Sequence, residues 1–393
     1  MTPITPLAIT ARTATTACGR GLASLRAALR EGRSGLRAND FPGCDLTTHI
    51  GRVDGLEDAA LPAEFAEWDC RNNRLAWLAL NQDGVFEQMQ VLREQHGATR
   101  VAIIVGTSTS SIGASEEAYQ HLDGDQFPAE LRRPIVHTPH SPGDFLQQAT
   151  GLRGPSVTVA TACSSSAKVF AQAARMIHAG LVDAALVGGV DTLCGSVLYG
   201  FNSLGLVSTR PCRPFDAARD GLSLGEAGGF AILERDGDGP RLLGYGESSD
   251  AHHMSSPHPE GLGARLSMQA ALDRAGLTPD VVDYINLHGT ATPKNDEIEA
   301  GAVAALFPST TRASSTKGWT GHTLGAAGIV ESVIALDTID TGLMPATMNC
   351  DDPDPVCGPQ ILREPVQGNV RHAMNNSFGF GGNNCSLLFG GAA

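Results

Sequence analysis

Long hydrophobic stretches are missing from this chain. None of its apolar runs reaches the roughly 18 residues that a membrane-spanning helix needs. Its first residues, MTPITPLAITARTATTACG, contain no basic segment, apolar core and cleavage site of the kind that directs secretion. We therefore expect a cytoplasmic protein with no insertion into a membrane.

Paired cysteines are missing too. The nine cysteines are scattered, their number is odd, and no two are spaced as CxxC. Disulfide frameworks and structural zinc sites both need recurring cysteine spacings. We expect no metal site, and we expect most of these cysteines to be small buried residues.

Positive charge is scarce as well. The chain has 28 Lys and Arg residues against 42 Asp and Glu residues, for a net charge of −14. A broad basic surface, which binding to nucleic acid needs, is therefore not expected. Lysine is rarest, with only Lys168, Lys294 and Lys317 among the basic residues. A lysine in so arginine-rich a chain indicates a position that needs a compact ammonium rather than a planar guanidinium.

What the chain does contain is an alternation of strand and helix patterns. Short β-branched runs predict buried strands, and apolar residues at helical spacing predict helices between them. The predicted strands are 100–108, 156–162, 183–190 and 283–289, and the clearest predicted helices are 167–180 and 262–276. This order indicates an α/β protein with mostly parallel, buried strands.

A weak internal repeat divides the chain into two halves. Each half contains a strand, a turn of small residues, a long helix rich in alanine and glycine, and then a glycine-rich strand. We predict two domains, 1–245 and 246–393, which share an interior. The two equivalent turns are expected to meet, and the functional site is expected where they meet.

One cysteine stands at such a turn, in TVATACSSSAKVF (158–170). Cys163 follows a predicted strand and precedes the first turn of a predicted helix. Free backbone N–H groups and the helix dipole favour an anion there, so the position suits a nucleophilic thiolate and an oxyanion. The alternative is an inert buried cysteine, which is the commoner role of this residue type.

Three further stretches contain residue types that could act with this thiol. NLHGTATPKNDEIEA (286–300) places His288 at a strand end, SSTKGWTGHTLGAAG (314–328) contains Lys317 and His322, and NNSFGFGGNNCSLLF (375–389) places Phe380 among glycines. Taken singly, each histidine is more often a core or surface residue than a catalyst. Neither lies in an HxxxH or carboxylate pattern of a metal site.

Together the four stretches resemble the signature motifs of the β-ketoacyl-acyl-carrier-protein synthases, the elongating condensing enzymes of the thiolase superfamily. TRPCRPFDAARDG (209–221) and GEAGGFAILE (225–234) extend the resemblance over essentially the whole chain. It implies a thiolase-like fold with two pseudo-duplicated halves in α-β-α-β-α layers. It also implies a decarboxylative Claisen condensation between a cysteine-bound acyl chain and malonyl-acyl-carrier protein. No cofactor is implied, because acyl carrier protein holds the substrates on phosphopantetheine.

The resemblance also implies roles for individual residues. Cys163 would carry the acyl chain, His288 and His322 would bind the malonyl thioester oxygen, and Lys317 would orient that site through Glu331. The backbone N–H groups of Cys163 and Phe380 would form an oxyanion hole, and Phe380 would gate the acyl pocket. The remaining implied residues are Asp296 as a support, Thr290 and Thr292 at the pantetheine arm, and Thr109 and Phe201 at the acyl pocket.

Partners are implied as well. Acidic carrier proteins need a small basic docking site, for which Arg71, Arg74, Arg132, Arg133 and Arg213 are the candidates. A homodimer or a heterodimer with a ketosynthase-like chain is expected. The stretches CRNNRL (70–75), GTSTSSIG (106–113) and SSDAHHMSSPHPEG (248–261) look most like ketosynthases of bacterial aryl polyene clusters, which would pair with an inactive paralogue.

Some features depart from the family pattern. GEAGG replaces the commoner GEGAG, GNN replaces GTN after the gate glycines, and AKVF follows Ser166 where many relatives have a histidine-containing stretch. Two other functions stay open. One is a non-catalytic chain-length-factor partner, which the intact Cys, His, His and Lys set disfavours. The other is a thioester hydrolase, which the gate motif disfavours.

Overall fold

A computed structural model of the protein describes residues 2–392. The strands are β1 Leu7–Thr16, β2 Gly19–Arg20, β3 Arg37–Ala38, β4 His49–Gly51, β5 Val101–Gly106, β6 Ser156–Val159, β7 Ala184–Asp191, β8 Leu224–Gly225, β9 Ala227–Glu234, β10 Arg241–Ser249, β11 Tyr284–Asn286, β12 Arg312–Ser314, β13 Leu343–Met344, β14 Val366–Gln367, β15 His372–Gly379 and β16 Asn383–Gly390. The helices are α1 Gly21–Glu31, α2 Arg71–Leu80, α3 Val85–His96, α4 Ile112–Gln120, α5 Ser141–Thr150, α6 Ser165–His178, α7 Gly195–Ser203, α8 Leu262–Ala275, α9 Pro293–Leu306, α10 Lys317–Thr320 and α11 Ala327–Thr341.

The main sheet is symmetric about its centre. Its strand order is β12-β11-β15-β16-β10-β1-β9-β7-β5-β6, with β2 attached to β1. Reading outward from the centre, each side has two antiparallel strands followed by three strands that are parallel to one another. The two sides are joined where Leu7 and Ala8 pair with Leu242 and Arg241. The repeat seen in the sequence therefore appears as a repeated strand order.

The expectation of mostly parallel strands is wrong for the middle of the sheet. Strand β5 is parallel to β6 and β7, and β11 is parallel to β12 and β15, but the strands between these two sets are antiparallel. Every residue of β9 is buried although both of its neighbours run antiparallel. The continuous apolar pattern indicates that both faces of the strand are buried. Burial of both faces does not determine whether neighbouring strands run parallel or antiparallel.

Helices cover and separate the two sides of the sheet. In the middle layer, α6 packs on β5, β7 and β16, and α11 packs on β15, β9 and β11. One outer layer contains α2, α3 and α5, and the other contains α8 with α9 beside it. This is the expected α-β-α-β-α arrangement.

The two middle helices approach each other closely. Gly328 in α11 makes this contact, since a Cβ there would lie 2.4 Å from the backbone nitrogen of Ala167 in α6. Residues 327–338 of α11 are all buried, so this helix has no polar face. The N-terminal ends of both helices lie next to the turns that carry the candidate catalytic residues.

The predicted elements are confirmed, with bounds that differ by up to three residues. The four predicted strands correspond to β5, β6, β7 and β11, and the two predicted helices correspond to α6 and α8, the latter ending before left-handed Gly276. The predicted boundary at residue 245 falls inside β10, and the division into two domains stays a prediction. Among residues 2–392, no helix is long and apolar enough to cross a membrane, and a cytoplasmic location stays a prediction.

Candidate active site

Cys163 lies in a tight turn between β6 and α6. Ala162, just before it, has a positive φ of 51°, which turns the chain sharply from the strand into the helix. Gly106 at the end of β5 permits this packing, because a Cβ there would lie 2.4 Å from the Ser166 nitrogen. The Cys163 side chain is buried and lines a cavity of about 360 Å³.

Two histidines converge on this thiol. His322 Nε2 lies 2.9 Å from Cys163 Sγ, and the His288 ring contacts the His322 ring edge-on at 5.5 Å between centroids. His322 is fixed through its backbone, which accepts a hydrogen bond from Gly225 and donates one to Ser223 at 2.7 Å. The structure thus brings together three residues that are 34 to 159 positions apart.

Lys317 lies directly behind His288. Its ammonium donates hydrogen bonds to the Glu331 carboxylate and to the His288 carbonyl oxygen, and it lies 3.5 Å from His288 Nδ1. An ammonium has only donors, so Nδ1 acts as the acceptor and the His288 proton resides on Nε2. Lys317 and Glu331 are 1% and 3% exposed, so this is a fully desolvated ion pair.

Burial controls the protonation of these groups. It lowers the pKa of His288 and of His322 well below 6.5, and the nearby Lys317 charge lowers both further. It raises the pKa of Cys163 to about 12, although Lys317 and the backbone N–H of Phe380 lower it. It also raises the pKa of Glu331 to about 7, against the lowering by Lys317. Desolvation is the largest of these effects on Cys163, so burial opposes the thiolate that the helix dipole would favour at this position, and the raised pKa indicates a neutral thiol.

Phe380 covers the cavity from a glycine-rich turn. It stacks on Phe201 at 5.9 Å between ring centroids, and Phe201 contacts the His322 ring. The turn Phe380–Gly382 contains Gly381 at φ 74° and Gly382 at φ 72°, a conformation that a bulkier residue rarely adopts. Both phenylalanines line the same cavity as Cys163.

The threonine pair lies at the mouth of this cavity. Thr290 and Thr292 line it, and their hydroxyl groups are 2.8 Å apart. Asp296 lies behind them, where it accepts hydrogen bonds from the backbone nitrogens of Phe215 and Ala291. The sequence did not point to the buried Glu299. Its carboxylate accepts hydrogen bonds from the backbone N–H groups of His288 (2.8 Å) and Gly289 (2.7 Å).

Both halves of the chain match domains of one known protein family. Residues 5–238 match the family model described as the N-terminal domain of β-ketoacyl synthase, and residues 241–351 match the model of its C-terminal domain. A 3-oxoacyl-[acyl-carrier-protein] synthase 2 from Vibrio harveyi is 32% identical in an alignment 391 residues long, which covers 92% of each chain. The chain belongs to the β-ketoacyl synthase family.

Two further similarities place this β-ketoacyl synthase among its relatives. It is 40% identical to the mitochondrial 3-oxoacyl-[acyl-carrier-protein] synthase of Arabidopsis thaliana in an alignment 262 residues long, which covers 61% of this chain and 57% of that protein. The solved ketosynthase ApeO of Xenorhabdus doucetiae, in complex with its chain length factor ApeC, is 36% identical with a TM-score of 0.90. That match covers 99% of this chain and 98% of ApeO. The predicted family and its thiolase-like fold are confirmed.

In this β-ketoacyl synthase the structure places Thr109 away from the cavity that contains Cys163. Its hydroxyl group donates to the Asp191 carboxylate at 2.6 Å, and Thr109 is absent from the lining of that cavity. Asp191, fully buried at the end of β7, also accepts hydrogen bonds from Thr107, Ser108 and the backbone of Gly325. Sequence reasoning missed Asp191, which joins the loop after β5 to the segment beyond His322; its one signal was an acid at the end of an apolar, glycine-rich strand.

Four of the five candidate docking arginines are held in ion pairs. Arg71 pairs with Glu226 and Glu57, Arg74 with Asp69, Arg133 with Glu117, and Arg213 with Asp216 and Asp351. Arg132 is exposed and donates to the Phe127 carbonyl and to Gln126. Of the five, it is the one with no acidic partner recorded in residues 2–392.

The Cys163, His288 and His322 side chains could also hold a cation. One ligand atom from each lies within 4.8 Å of the others. Thiolate and imidazole are zinc ligands, and three of them would leave one position open. The thiol proton would have to leave first, which the raised pKa of Cys163 disfavours. The absence of a functional metal stays a prediction.

Proposed function

We propose that this β-ketoacyl synthase transfers an acyl chain to Cys163 and then condenses it with malonyl-acyl-carrier protein. The observation that carries this proposal is the 2.9 Å contact between His322 Nε2 and the buried Cys163 Sγ, which lines the cavity. A neutral thiol next to a neutral imidazole can act as a nucleophile and base pair. The similarity to ApeO is not needed for this step, which rests on the site itself.

In the first step the Cys163 sulfur attacks the carbonyl carbon of an acyl thioester. The thiol proton passes to His322 Nε2 and then to the departing pantetheine sulfur, so protons balance. The backbone N–H groups of Cys163 and Phe380 are assigned to the oxyanion. The Phe380 N–H already interacts with the Cys163 sulfur, which supports its place in this hole.

In the second step a malonyl thioester loses CO2, and the electrons left on its α-carbon form an enolate. His288 donates from Nε2 to the enolate oxygen, and Lys317 on Nδ1 keeps that tautomer in place. His322 is assigned as the second donor, a role that requires its ring proton to reside on Nε2 once Cys163 is acylated and no thiol proton faces that nitrogen. The α-carbon then attacks the Cys163 thioester, which releases the β-ketoacyl product and a Cys163 thiolate, and uptake of one proton from water restores the thiol.

Carrier protein and a second chain are the proposed partners, and phosphopantetheine on the carrier supplies the only prosthetic arm. Thr290 and Thr292 at the cavity mouth are assigned to that arm, and Arg132 is the preferred docking residue because no acidic partner holds it. A heterodimer in an aryl-polyene-like type II polyketide pathway is the preferred setting. The similarity to ApeO, which was solved with a chain length factor, supports it.

Intact-protein mass spectrometry tests the proposal. Wild type, Cys163→Ala and Cys385→Ala are incubated with saturated, unsaturated and aryl-primed acyl-carrier-protein thioesters, with and without a candidate partner chain. Cys385→Ala is the matched control, because Cys385 is an equally buried thiol with no catalytic assignment. We expect wild type and Cys385→Ala to gain one acyl mass and Cys163→Ala to gain none, and a chelator to change nothing.

The same samples separate the other functions. If no donor loads wild type in any combination, the non-catalytic partner takes the place of the enzyme. If the acyl mass appears and decays equally fast without malonyl-carrier protein, the hydrolase interpretation replaces condensation. If a chelator abolished acyl loading, this would indicate a metal ion bound by Cys163, His288 and His322.

A further inference from the structure

We propose that Lys168 positions the gate turn Phe380–Gly382 through a hydrogen bond to Asn383. Lys168 Nζ donates to Asn383 Oδ1 at 3.4 Å. Lys168 lies five residues after Cys163 in α6, and Asn383 is the first residue after the gate turn. This inference rests on the proposed function, because it concerns the alignment of the Phe380 N–H with the Cys163 sulfur.

Each partner of this contact lies in a stretch where the sequence departs from the family pattern. Lys168 belongs to AKVF after the serines, and Asn383 belongs to GNN after the gate glycines. Lys168 is also one of only three lysines in the chain. Of the others, Lys317 lies in the active site and Lys294 lines the mouth of the cavity. The two departures therefore meet in a single contact.

The gate turn is anchored on its other side through its backbone. Gly381 N–H donates to the Met254 carbonyl at 2.8 Å, and the Gly382 carbonyl accepts from Asp250 N–H at 3.0 Å. Gly379 packs on the nucleophile turn, where a Cβ would lie 2.7 Å from the Thr161 carbonyl oxygen. The hydrogen bond from Lys168 to Asn383 adds a side-chain contact to these backbone contacts. Together they restrain the gate turn, whose glycines would otherwise let it change conformation.

The local charges leave Lys168 available for this contact. The Glu247 carboxylate is bound at 2.5 Å by Arg175, which lies two turns further along α6. Lys168 is half-buried, and Asn383 Oδ1 is the side-chain acceptor recorded for its ammonium in the described residues.

The test measures condensation kinetics of Lys168→Met, Lys168→Arg, Asn383→Ala and the double variant Lys168→Met/Asn383→Ala. Arg175→Met is the matched control, since it removes a cation from the same helix without touching the gate turn. We expect Lys168→Met and Asn383→Ala each to lower kcat about fivefold to tenfold with KM for the acyl carrier little changed, because small misplacements of a catalytic group cost rate. Lys168→Arg is expected to retain most of kcat.

The double variant decides whether the two residues act as one device. We expect it to be no slower than either single variant. The inference is overturned if Arg175→Met slows condensation equally, or if the two single effects multiply in the double variant. Failure of the proposed function is a separate result, since wild type itself would then acquire no acyl mass on Cys163.

Discussion

At the scale of single residues, the active site depends on charges that have no access to water. Lys317 and Glu331 form a buried ion pair that supports His288 from behind. Removing one member of such a pair leaves the other charge buried without compensation, and this costs far more than the net value of the intact pair. The supporting pair is therefore predicted to affect stability and catalysis together.

Glu331→Gln tests this pair. We expect it to lower the free energy of unfolding by about 3 kcal/mol, because a buried ammonium loses its counter-charge. Malonyl decarboxylation should slow more than acyl loading, since the pair contacts His288 and not Cys163. Urea unfolding and CO2 release give the two readouts. Lys294→Gln is the control, because its pair with Glu297 is exposed and should contribute under about 1 kcal/mol.

The pH dependence of decarboxylation follows from the two histidines. Their pKa values lie well below 6.5, so both rings stay neutral as the pH falls from 8 to 6 and become charged only under more acidic conditions. Glu331 and Glu299, whose pKa values burial raises to about 7, titrate in the same range, so the ring proton shifts of both histidines are followed by NMR beside CO2 release in Cys163→Ala. We expect both rings to keep the shifts of neutral imidazole from pH 8 to 6, so that any change of rate there comes from the carboxyl groups. A ring titration with its midpoint near 6.5 would contradict the buried, neutral pair.

The sequence revealed the catalytic residues better than it revealed their charges. Cys163, His288 and His322 each lie in a stretch where a predicted strand gives way to small residues. This pattern is visible in the sequence. The pKa of Cys163 is raised by burial and lowered by Lys317 and the Phe380 backbone, and these effects come from distant segments that the local sequence does not show. Glu299 and Asp191 were missed because a lone acid gives no sign of the backbone groups it binds.

At the scale of elements, buried carboxylates fix the segments that carry the site. Glu226, between β8 and β9, is fully buried and accepts hydrogen bonds from the backbone N–H groups of Val53 and Leu193, both at 3.0 Å. Arg71 at the start of α2 donates to both of its oxygens, at 3.2 and 2.7 Å. The predicted docking role of Arg71 therefore competes with a structural one that links α2 to the sheet.

Arg71→Gln and Arg132→Gln separate these two roles. We expect Arg71→Gln to lower the free energy of unfolding by about 2 to 3 kcal/mol, since it strips a charged partner from a buried carboxylate. Arg132→Gln should leave stability within about 0.5 kcal/mol and raise KM for carrier protein, most strongly at low salt. Thermal unfolding and kinetics at two ionic strengths measure both. An unchanged melting temperature in Arg71→Gln would free that residue for docking.

Element types and order followed from the sequence, whereas strand direction did not. The runs around β5, β6, β7 and β11 are β-branched and apolar, and the structure has strands there. The strands β9 and β16 have a similar apolar pattern. However, β9 runs antiparallel to β7, and β16 runs antiparallel to β15, which is itself parallel to β11. Direction is set by which strands the long connections bring together, and a local pattern contains no information on that pairing.

At the scale of the whole molecule, the two ends of the main sheet differ. At the β12 end, Ala313 exchanges backbone hydrogen bonds with Gln360 and Leu362, which cover the strand. At the β6 end, β5 occupies one side of the strand, and among residues 2–392 no backbone partner is recorded for the other. Open strand edges invite pairing with another chain, so we place the proposed dimer contact along β6.

Thr158→Pro tests this contact. The carbonyl groups of Pro155 and Val159 bond to β5, so alternation along the strand directs the N–H of Thr158 to the open side. Proline removes that donor and is tolerated at a free edge, so the monomer should still fold. We expect wild type to behave as a dimer, alone or with a ketosynthase-like chain, and Thr158→Pro to have the mass of a monomer by light scattering. Thr158→Val is the control, since it loses only the side-chain bond to His140. A dimer that survives in Thr158→Pro would move the interface to another face of the molecule.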